Sequence, residues 1–180
     1  LLAGNAVLFK PSEVSPDSGK KIGELLKGLV PDDLFTVCTG DGSLGAELLQ
    51  TDVDMVVFTG SVATGRKGAH ACVDKLIPCA LELGGKDAAI VLSDCDIERA
   101  ANGVVWGALS NAGQNCGAVE RVYVETSIAE AFTKRVTALV ASLKESDVGP
   151  LATKAQFDVV ARHVAAAKEL GAKVETGGDP

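Results

Sequence analysis

Residues 55–83 read MVVFTGSVATGRKGAHACVDKLIPCALEL. The short run at 55–58 is rich in β-branched and aromatic residues and predicts a strand, and the longer pattern at 62–73 predicts a helix. A second apolar run follows at 77–83. Two such runs joined by a helix form a βαβ unit, so this segment predicts an α/β fold built on a parallel sheet.

The alternation continues on both sides of this segment. Upstream, the pattern predicts strands at 6–9 and 35–38 and helices at 18–29 and 43–50. Downstream, it predicts strands at 88–92, 121–125 and 173–176, and helices from Asp94 or Asp96 to 108, at 128–143 and at 154–170. Because Gly84-Gly85-Lys86 interrupts the apolar run, we expect two lobes, residues 1–83 and residues 84–180.

Composition indicates a folded chain and excludes several classes of protein. The 180 residues are 47% hydrophobic and 23% charged, and a domain of this length buries about 70% of its unfolded surface. The net charge is −7, and no run of Lys or Arg exceeds a pair, which argues against a nucleic-acid partner. No apolar stretch approaches the ~20 residues that span a bilayer, so no membrane partner is expected.

The cysteines indicate a reducing compartment. There are 5 of them, an odd number without a Cys-x-x-Cys pair, so neither a disulfide framework nor a metal site is expected. We therefore expect a cytoplasmic location. Residue 1 is Leu, and we expect the chain to be a piece of a longer protein.

Two glycine motifs resemble nucleotide-binding loops only partly. Residues 40–45 read GDGSLG between a predicted strand and a predicted helix, but the acid that a dinucleotide fingerprint needs after the next strand is missing. Residues 60–67 resemble a Walker A loop, but Arg66 stands where that loop has its lysine.

Gly60 and Ser61 lie where a predicted strand feeds a helix. Free N–H groups, a hydroxyl and the helix dipole converge there, which suits a pyrophosphate. A simple helix cap at Ser61 explains the same residues equally well.

Cys116 is the candidate nucleophile. It follows Asn111-Ala112-Gly113-Gln114-Asn115, small and polar residues that leave a thiol open to a substrate. The other cysteines lie in apolar or helical contexts, which are typical of small buried side chains.

Glu82 is the candidate general base. It lies between Leu81 and Leu83 at a strand end, an apolar setting of the kind that suits a proton acceptor. A salt bridge to Lys86 or an exposed sheet edge is the structural alternative.

Lys10 and Glu13 form a third candidate group. The sequence Lys10-Pro11-Ser12-Glu13 closes the first predicted strand, and its cation and acid are able to bracket a ribose diol by hydrogen bonds. A surface turn is the alternative.

Taken in order, four segments resemble the aldehyde dehydrogenase superfamily. They are residues 10–13, residues 58–61, residues 81–86 and residues 111–116. The separation of Glu82 and Cys116, 116 − 82 = 34 residues, is also similar to that of the family. The resemblance covers almost the whole chain.

The resemblance implies a partial Rossmann-like NAD-binding lobe and a partial catalytic lobe. Lys10 and Glu13 would hold the adenosine ribose, and Gly60, Ser61 and Leu83 would lie on the cofactor side. The implied cofactor is NAD, with NADP possible, because Glu13 accepts from a free ribose hydroxyl and repels a 2′-phosphate.

The implied reaction oxidises an aldehyde to a carboxylic acid. Cys116 would form a thiohemiacetal and then a thioester, which a water deprotonated by Glu82 would hydrolyse. The complete protein is expected to be a homodimer or homotetramer, and the 180-residue chain alone is expected to be a poor catalyst.

The chain departs from the family at two places. Residues 144–146 replace a longer loop, and Glu120 stands where many relatives have a small polar residue. Two other interpretations of the function stay open. The protein could be a relative that transfers the acyl group to coenzyme A, or a non-catalytic module of the same fold.

Overall fold

The computed structural model describes residues 1–179, which divide into two compact units, Leu1–Leu83 (unit 1) and residues 84–179 (unit 2). Unit 1 contains β1 (Val7–Phe9), α1 (Pro16–Leu26), β2 (Phe35–Val37), α2 (Gly42–Leu48), β3 (Val56–Gly60), α3 (Val62–Lys75) and β4 (Cys79–Leu83). Unit 2 contains β5 (Asp87–Val91), α4 (Ile97–Leu109), β6 (Val119–Val124), α5 (Ala129–Ser142), α6 (Glu145–Val148) and α7 (Lys154–Glu169).

All strand pairs among residues 1–179 are parallel, which confirms the predicted α/β class. In unit 1, β1 pairs with β2 and β3 pairs with β4, and in unit 2 β5 pairs with β6. Parallel partners end on the same side, so the residues that follow β1 and β2 meet at one edge. In open α/β sheets this carboxyl edge is where ligands bind.

Side-chain caps fix where four of the helices begin. A side-chain oxygen of the residue before each helix accepts a hydrogen bond from a backbone N–H of the first turn. These residues are Asp41, Ser61, Asp96 and Thr153. Asp96, one of two caps expected for α4, is therefore the cap, and Asp94 is not.

The core of unit 2 forms where β5, α4 and α5 meet. Val91, Ala101 and Phe132 are buried there, and partly buried side chains including Ile97 and Leu139 pack around them. This packing holds α4 in place on β5, and the loop that leaves α4 carries Cys116.

The chain buries less surface than the sequence predicts. Its accessible surface is 12798 Å², whereas a self-contained monomer of this mass has about 8,200 Å². Large apolar side chains stay exposed on strands and helices, among them Val57, Ile90 and Trp106. The expectation of about 70% burial is wrong for this chain taken by itself.

The predicted strand at 173–176 is also wrong. These residues are irregular, and no strand within residues 1–179 pairs with them. A strand needs a neighbour for its N–H and C=O groups, and β propensity at Val174 does not supply one.

A bilayer-crossing helix is absent from residues 1–179, where no helix is both long and apolar enough.

Glycine lets α1 approach strand β2 and Pro11, two residues after β1, closely. A Cβ added to Gly19 would overlap Pro11 Cβ, and one added to Gly23 would lie 2.6 Å from Val37 Cγ2. Because the proline ring is rigid, we expect Gly19→Ala to lower the free energy of unfolding by about 1–3 kcal/mol, the usual cost of overpacking. Denaturant titration measures this change.

Gly68→Ala is the matched control for Gly19→Ala. Gly68 lies within α3, and a Cβ there would meet nothing within 4 Å. Alanine in an unobstructed helix should stabilise by about 0.5–1 kcal/mol. Equal effects of the two substitutions would contradict the close approach at Gly19.

An ion pair joins α4 to α5 and predicts a pH dependence of stability. Arg135 donates to the Glu98 carboxylate, and Asn102 Nδ2 donates to it over 2.9 Å. Donation from Arg135 is the main cause that lowers the pKa of Glu98. The folded pKa is thus below the unfolded one, about 4.3. The stabilisation is therefore complete above the unfolded pKa and is lost as the pH falls through the folded pKa.

We expect Glu98→Gln to flatten the dependence of unfolding free energy on pH below about 4.3. Denaturant unfolding at a series of pH values measures this, with the exposed Glu130 on α5, changed to Gln, as control. Identical slopes in wild type and Glu98→Gln would refute the role of the pair.

Candidate active site

Cys116 lies on the loop between α4 and β6, and its thiol is exposed. Its Sγ donates to Asn115 Oδ1 over 3.7 Å, and the same oxygen accepts from the Gly117 N–H over 3.1 Å. The backbone N–H of Cys116 has no acceptor within residues 1–179. Cys116 therefore combines an accessible thiol with a backbone N–H that donates to no acceptor among residues 1–179.

A left-handed turn redirects the chain just before Cys116. Asn111, Ala112 and Gly113 have φ values of 54°, 56° and 72°. A left-handed conformation costs a residue with a Cβ roughly 1–2 kcal/mol, and such strain concentrates at functional sites. An Asn in this conformation can form a local hydrogen bond with its side chain. Ala112 has no polar side chain and carries the strain without that compensation.

Gln114 anchors the cysteine loop to a distant part of unit 2. Its Nε2 donates to Asn111 O over 3.0 Å and to Pro150 O over 3.3 Å, and its Oε1 accepts from the Ala152 N–H over 2.8 Å. One amide thus fixes the residues before Cys116 against the segment after α6. The sequence predicted no role for Gln114, whose only signal was a polar side chain between Gly113 and Asn115.

The Gly84-Gly85 segment between β4 and β5 lies beside the main chain of Cys116. A Cβ added to Gly85 would lie 3.5 Å from the carbonyl oxygen of Cys116. The next residue, Lys86, accepts at its carbonyl from Arg121 Nε over 2.8 Å. The sequence predicted neither contact.

Glu82 lies near the carboxyl end of β4, directly opposite Thr59 in the register of β3 and β4. Its side chain is exposed. The salt bridge to Lys86 considered for it is absent from the described residues, because Lys86 pairs with Glu120 over 2.7 Å. Glu82 belongs to unit 1 and Cys116 to unit 2, and their joint role stays a prediction.

Lys10 and Glu13 lie together at the carboxyl edge of β1 and β2. The Lys10 ammonium donates to Pro11 O and Gly40 O, each over 2.9 Å, and to Glu13 Oε2 over 3.3 Å. The pKa of the Glu13 carboxyl is lowered, first by its own backbone N–H and then by Lys10. Of the three hydrogen bonds that the Lys10 ammonium donates, the one to the Glu13 carboxylate is the longest.

Gly60, Ser61 and Leu83 lie at the corresponding edge of β3 and β4. Gly60 is paired with Leu83, and Ser61 Oγ caps α3 by accepting from the Thr64 N–H over 3.2 Å. A Cβ on Gly65 of α3 would lie 2.6 Å from Leu83 Cδ2, so Leu83 packs under the helix start. The capping role of Ser61 is thus observed, and its pyrophosphate role stays a prediction.

The GDGSLG segment at residues 40–45 forms the start of the short helix α2. Asp41 Oδ1 accepts from the Ser43 N–H over 2.9 Å and from Ser43 Oγ over 2.6 Å. A carboxylate therefore already occupies the position at the helix start where the fingerprint would place a phosphate.

The chain belongs to the aldehyde dehydrogenase family, whose family model matches residues 1–180. It is 42% identical to betaine aldehyde dehydrogenase 2 of Rhizobium meliloti (strain 1021) over 96% of this chain and 38% of that protein.

Solved structures show the same fold. The putative aldehyde dehydrogenase PutA from Anabaena variabilis superposes with a TM-score of 0.92 at 39% identity, over 99% of this chain and 40% of that one. An indole-3-acetaldehyde dehydrogenase complexed with NAD⁺ gives 0.93 at 32% identity, over 98% and 38%. The chain therefore spans about two fifths of the length of these relatives.

Proposed function

We propose that the chain is part of an NAD-dependent aldehyde dehydrogenase that oxidises an aldehyde to a carboxylic acid. The observation that carries the proposal is Cys116, an exposed thiol whose own backbone N–H donates to no acceptor among residues 1–179 and is therefore able to bind an oxyanion. Membership of the family supports it. In this proposal unit 1 is the NAD-binding lobe and unit 2 the catalytic lobe.

The side chains at the edge of β1 and β2 fit the ribose of NAD. Lys10 and Glu13 lie 3.3 Å apart, and the Glu13 side chain is 57% exposed. One ribose hydroxyl would accept from Lys10 while another donates to Glu13. Hydrogen bonds from its own backbone N–H and from Lys10 lower the pKa of Glu13. Its carboxylate would repel a 2′-phosphate, which favours NAD over NADP.

The chemistry begins with addition of the Cys116 thiolate to the carbonyl carbon of the aldehyde. A C–S bond forms, and the carbonyl oxygen becomes an oxyanion that accepts from the Cys116 N–H. NAD, when bound, supplies the acceptor for the hydride. Loss of that hydride leaves a thioester on Cys116.

Glu82 completes the proposed cycle. Its carboxylate takes a proton from water, the water oxygen attacks the thioester, and the C–S bond breaks to release the carboxylic acid and the thiolate. A carboxylate at position 82 favours hydrolysis over transfer to coenzyme A.

The exposed apolar surface supports a longer protein. Strands of parallel sheets are ordinarily covered on both faces, yet Val57 is 69% and Ile90 74% exposed. We infer that further chain, and subunit contacts in a homodimer or homotetramer, cover these side chains. Five cysteines without a disulfide agree with a cytoplasmic location.

The test is NADH formation by the complete protein over a panel of aldehydes. We expect oxidation of at least one aldehyde, a preference for NAD over NADP, and no requirement for coenzyme A. Dependence on coenzyme A would favour the acyl-transferring alternative. Failure of NAD to protect Cys116 from thiol labelling, with no oxidation of any aldehyde, would favour a non-catalytic module.

A further inference from the structure

We propose that Glu120 is a positioning residue for the cysteine loop, acting through Lys86 and the Gly84-Gly85 segment. The inference rests on the proposed function for the importance of Cys116, but the geometry that carries it lies within unit 2. The reaction described above does not use Glu120.

Lys86 is held at both its side chain and its main chain by two consecutive residues of β6. Its ammonium lies 2.7 Å from Glu120 Oε2, and its carbonyl oxygen accepts from Arg121 Nε over 2.8 Å. The Arg121 guanidinium in turn lies 5.9 Å from the centre of the Tyr123 ring. We call Lys86, Glu120 and Arg121 the Lys86 clamp.

An irregularity in the sheet makes this clamp possible. Asp87 pairs with Val119 and Ala88 pairs with Arg121, so Glu120 is an extra residue in β6. In a regular strand, neighbouring side chains point to opposite faces. A bulge changes that direction locally, which accounts for two consecutive side chains both reaching Lys86.

The clamp reaches the cysteine loop through the Gly84-Gly85 segment, which lies beside the main chain of Cys116. Lys86 directly follows Gly85, and a Cβ added to Gly85 would lie 3.5 Å from the carbonyl oxygen of Cys116. Holding Lys86 therefore fixes this segment next to the main chain of the nucleophile. Misplacement of a reacting group by a small distance lowers the rate of the chemical step without changing the binding of a distant cofactor.

The size of the effect follows from the exposure of the pair. The side chains of Lys86 and Glu120 are 59% and 37% exposed, and ion pairs of this kind are weak. We expect roughly three- to fivefold changes when the pair is broken. A pair that only joined β5 to β6 would lower stability without affecting the loop selectively.

The experiment is hydrogen exchange of the complete protein, followed in the peptide that spans residues 113–118 and in α5. We expect exchange in the loop peptide to rise roughly three- to fivefold in Glu120→Gln and in Lys86→Met, with α5 unchanged. The double variant should exceed neither single variant, because both remove the same pair. Lys86→Arg keeps the charge and should retain wild-type exchange.

A matched control is Asp158→Asn, which breaks the exposed Lys154–Asp158 pair of 2.7 Å on α7 and should leave loop exchange unchanged. In an active enzyme, Glu120→Gln should slow the NADH burst by the same factor with an unchanged KM for NAD. Unchanged loop exchange, or equal rises in the loop and α5, would overturn the inference. Increased loop exchange in a protein that oxidises no aldehyde would instead sustain the clamp and refute the proposed function.

Discussion

Cys116→Ala in the complete protein is expected to lower kcat for aldehyde oxidation at least roughly 10³-fold, the scale seen when an enzyme loses its nucleophile. Alanine leaves no atom that can form a C–S bond, so neither thiohemiacetal nor thioester arises. Cys116 is exposed and outside the core cluster, so stability should change little. NADH formation at saturating aldehyde measures the effect, and denaturant unfolding checks that the fold is intact.

The matched control for this variant is Cys95→Ala. Cys95 is partly buried and packs against the core of unit 2, so its loss should affect stability and spare the reaction. Substantial steady oxidation by Cys116→Ala would remove the basis of the proposed mechanism. A comparable loss of activity in Cys95→Ala would show that disturbance of unit 2, and not loss of the nucleophile, explains the result.

The parts of the fold that local chemistry decides could be predicted from the sequence. The apolar run at 55–58 is strand β3 (Val56–Gly60), and the pattern at 62–73 is helix α3 (Val62–Lys75). Ser61 caps that helix, which was one of the two roles that the sequence left open for it. Each of these features depends on residues within a few positions of one another, so the local sequence is enough to predict it.

Contacts between distant residues could not be predicted. The sequence suggested Glu82 as a partner for Lys86, but Glu120, from the bulged start of β6, takes that place. The left-handed turn at residues 111–113 could not be predicted either. Ala112 has a φ of 56° there, although alanine has no intrinsic preference for that conformation. The anchoring of Gln114 to Pro150 and Ala152 depends on where the chain returns 36 residues later.

The wrong strand at 173–176 and the exposed apolar surface have one physical origin. Hydrophobic patterns report which side chains a fold buries, and they do not report what covers them. Val174 is 42% exposed and Val57 69% exposed, although both lie in runs whose pattern predicts strands. Residues 1–179 therefore leave uncovered some side chains that such a pattern would place against a neighbour.

Glu82→Gln is expected to separate the two halves of the proposed reaction. Glutamine is nearly isosteric but accepts no proton, so acylation and hydride transfer should yield close to one NADH per site before the thioester accumulates. Steady turnover should then fall by about 10²–10⁴-fold, the usual contribution of a general base. Rapid mixing with excess aldehyde and NAD measures both phases.

The amplitude of the NADH burst in Glu82→Gln distinguishes the possible roles of Glu82. An amplitude near one per site with a lost steady rate assigns Glu82 to thioester hydrolysis, whereas no burst at all would place its role before acylation. Normal steady turnover would exclude it as the base. Glu47→Gln is the control, because Glu47 is an exposed acid on α2 of the same unit and should leave both phases unchanged. Since Glu82 is itself exposed near the end of β4, its replacement should cost little stability, and a lost steady rate would reflect chemistry and not unfolding.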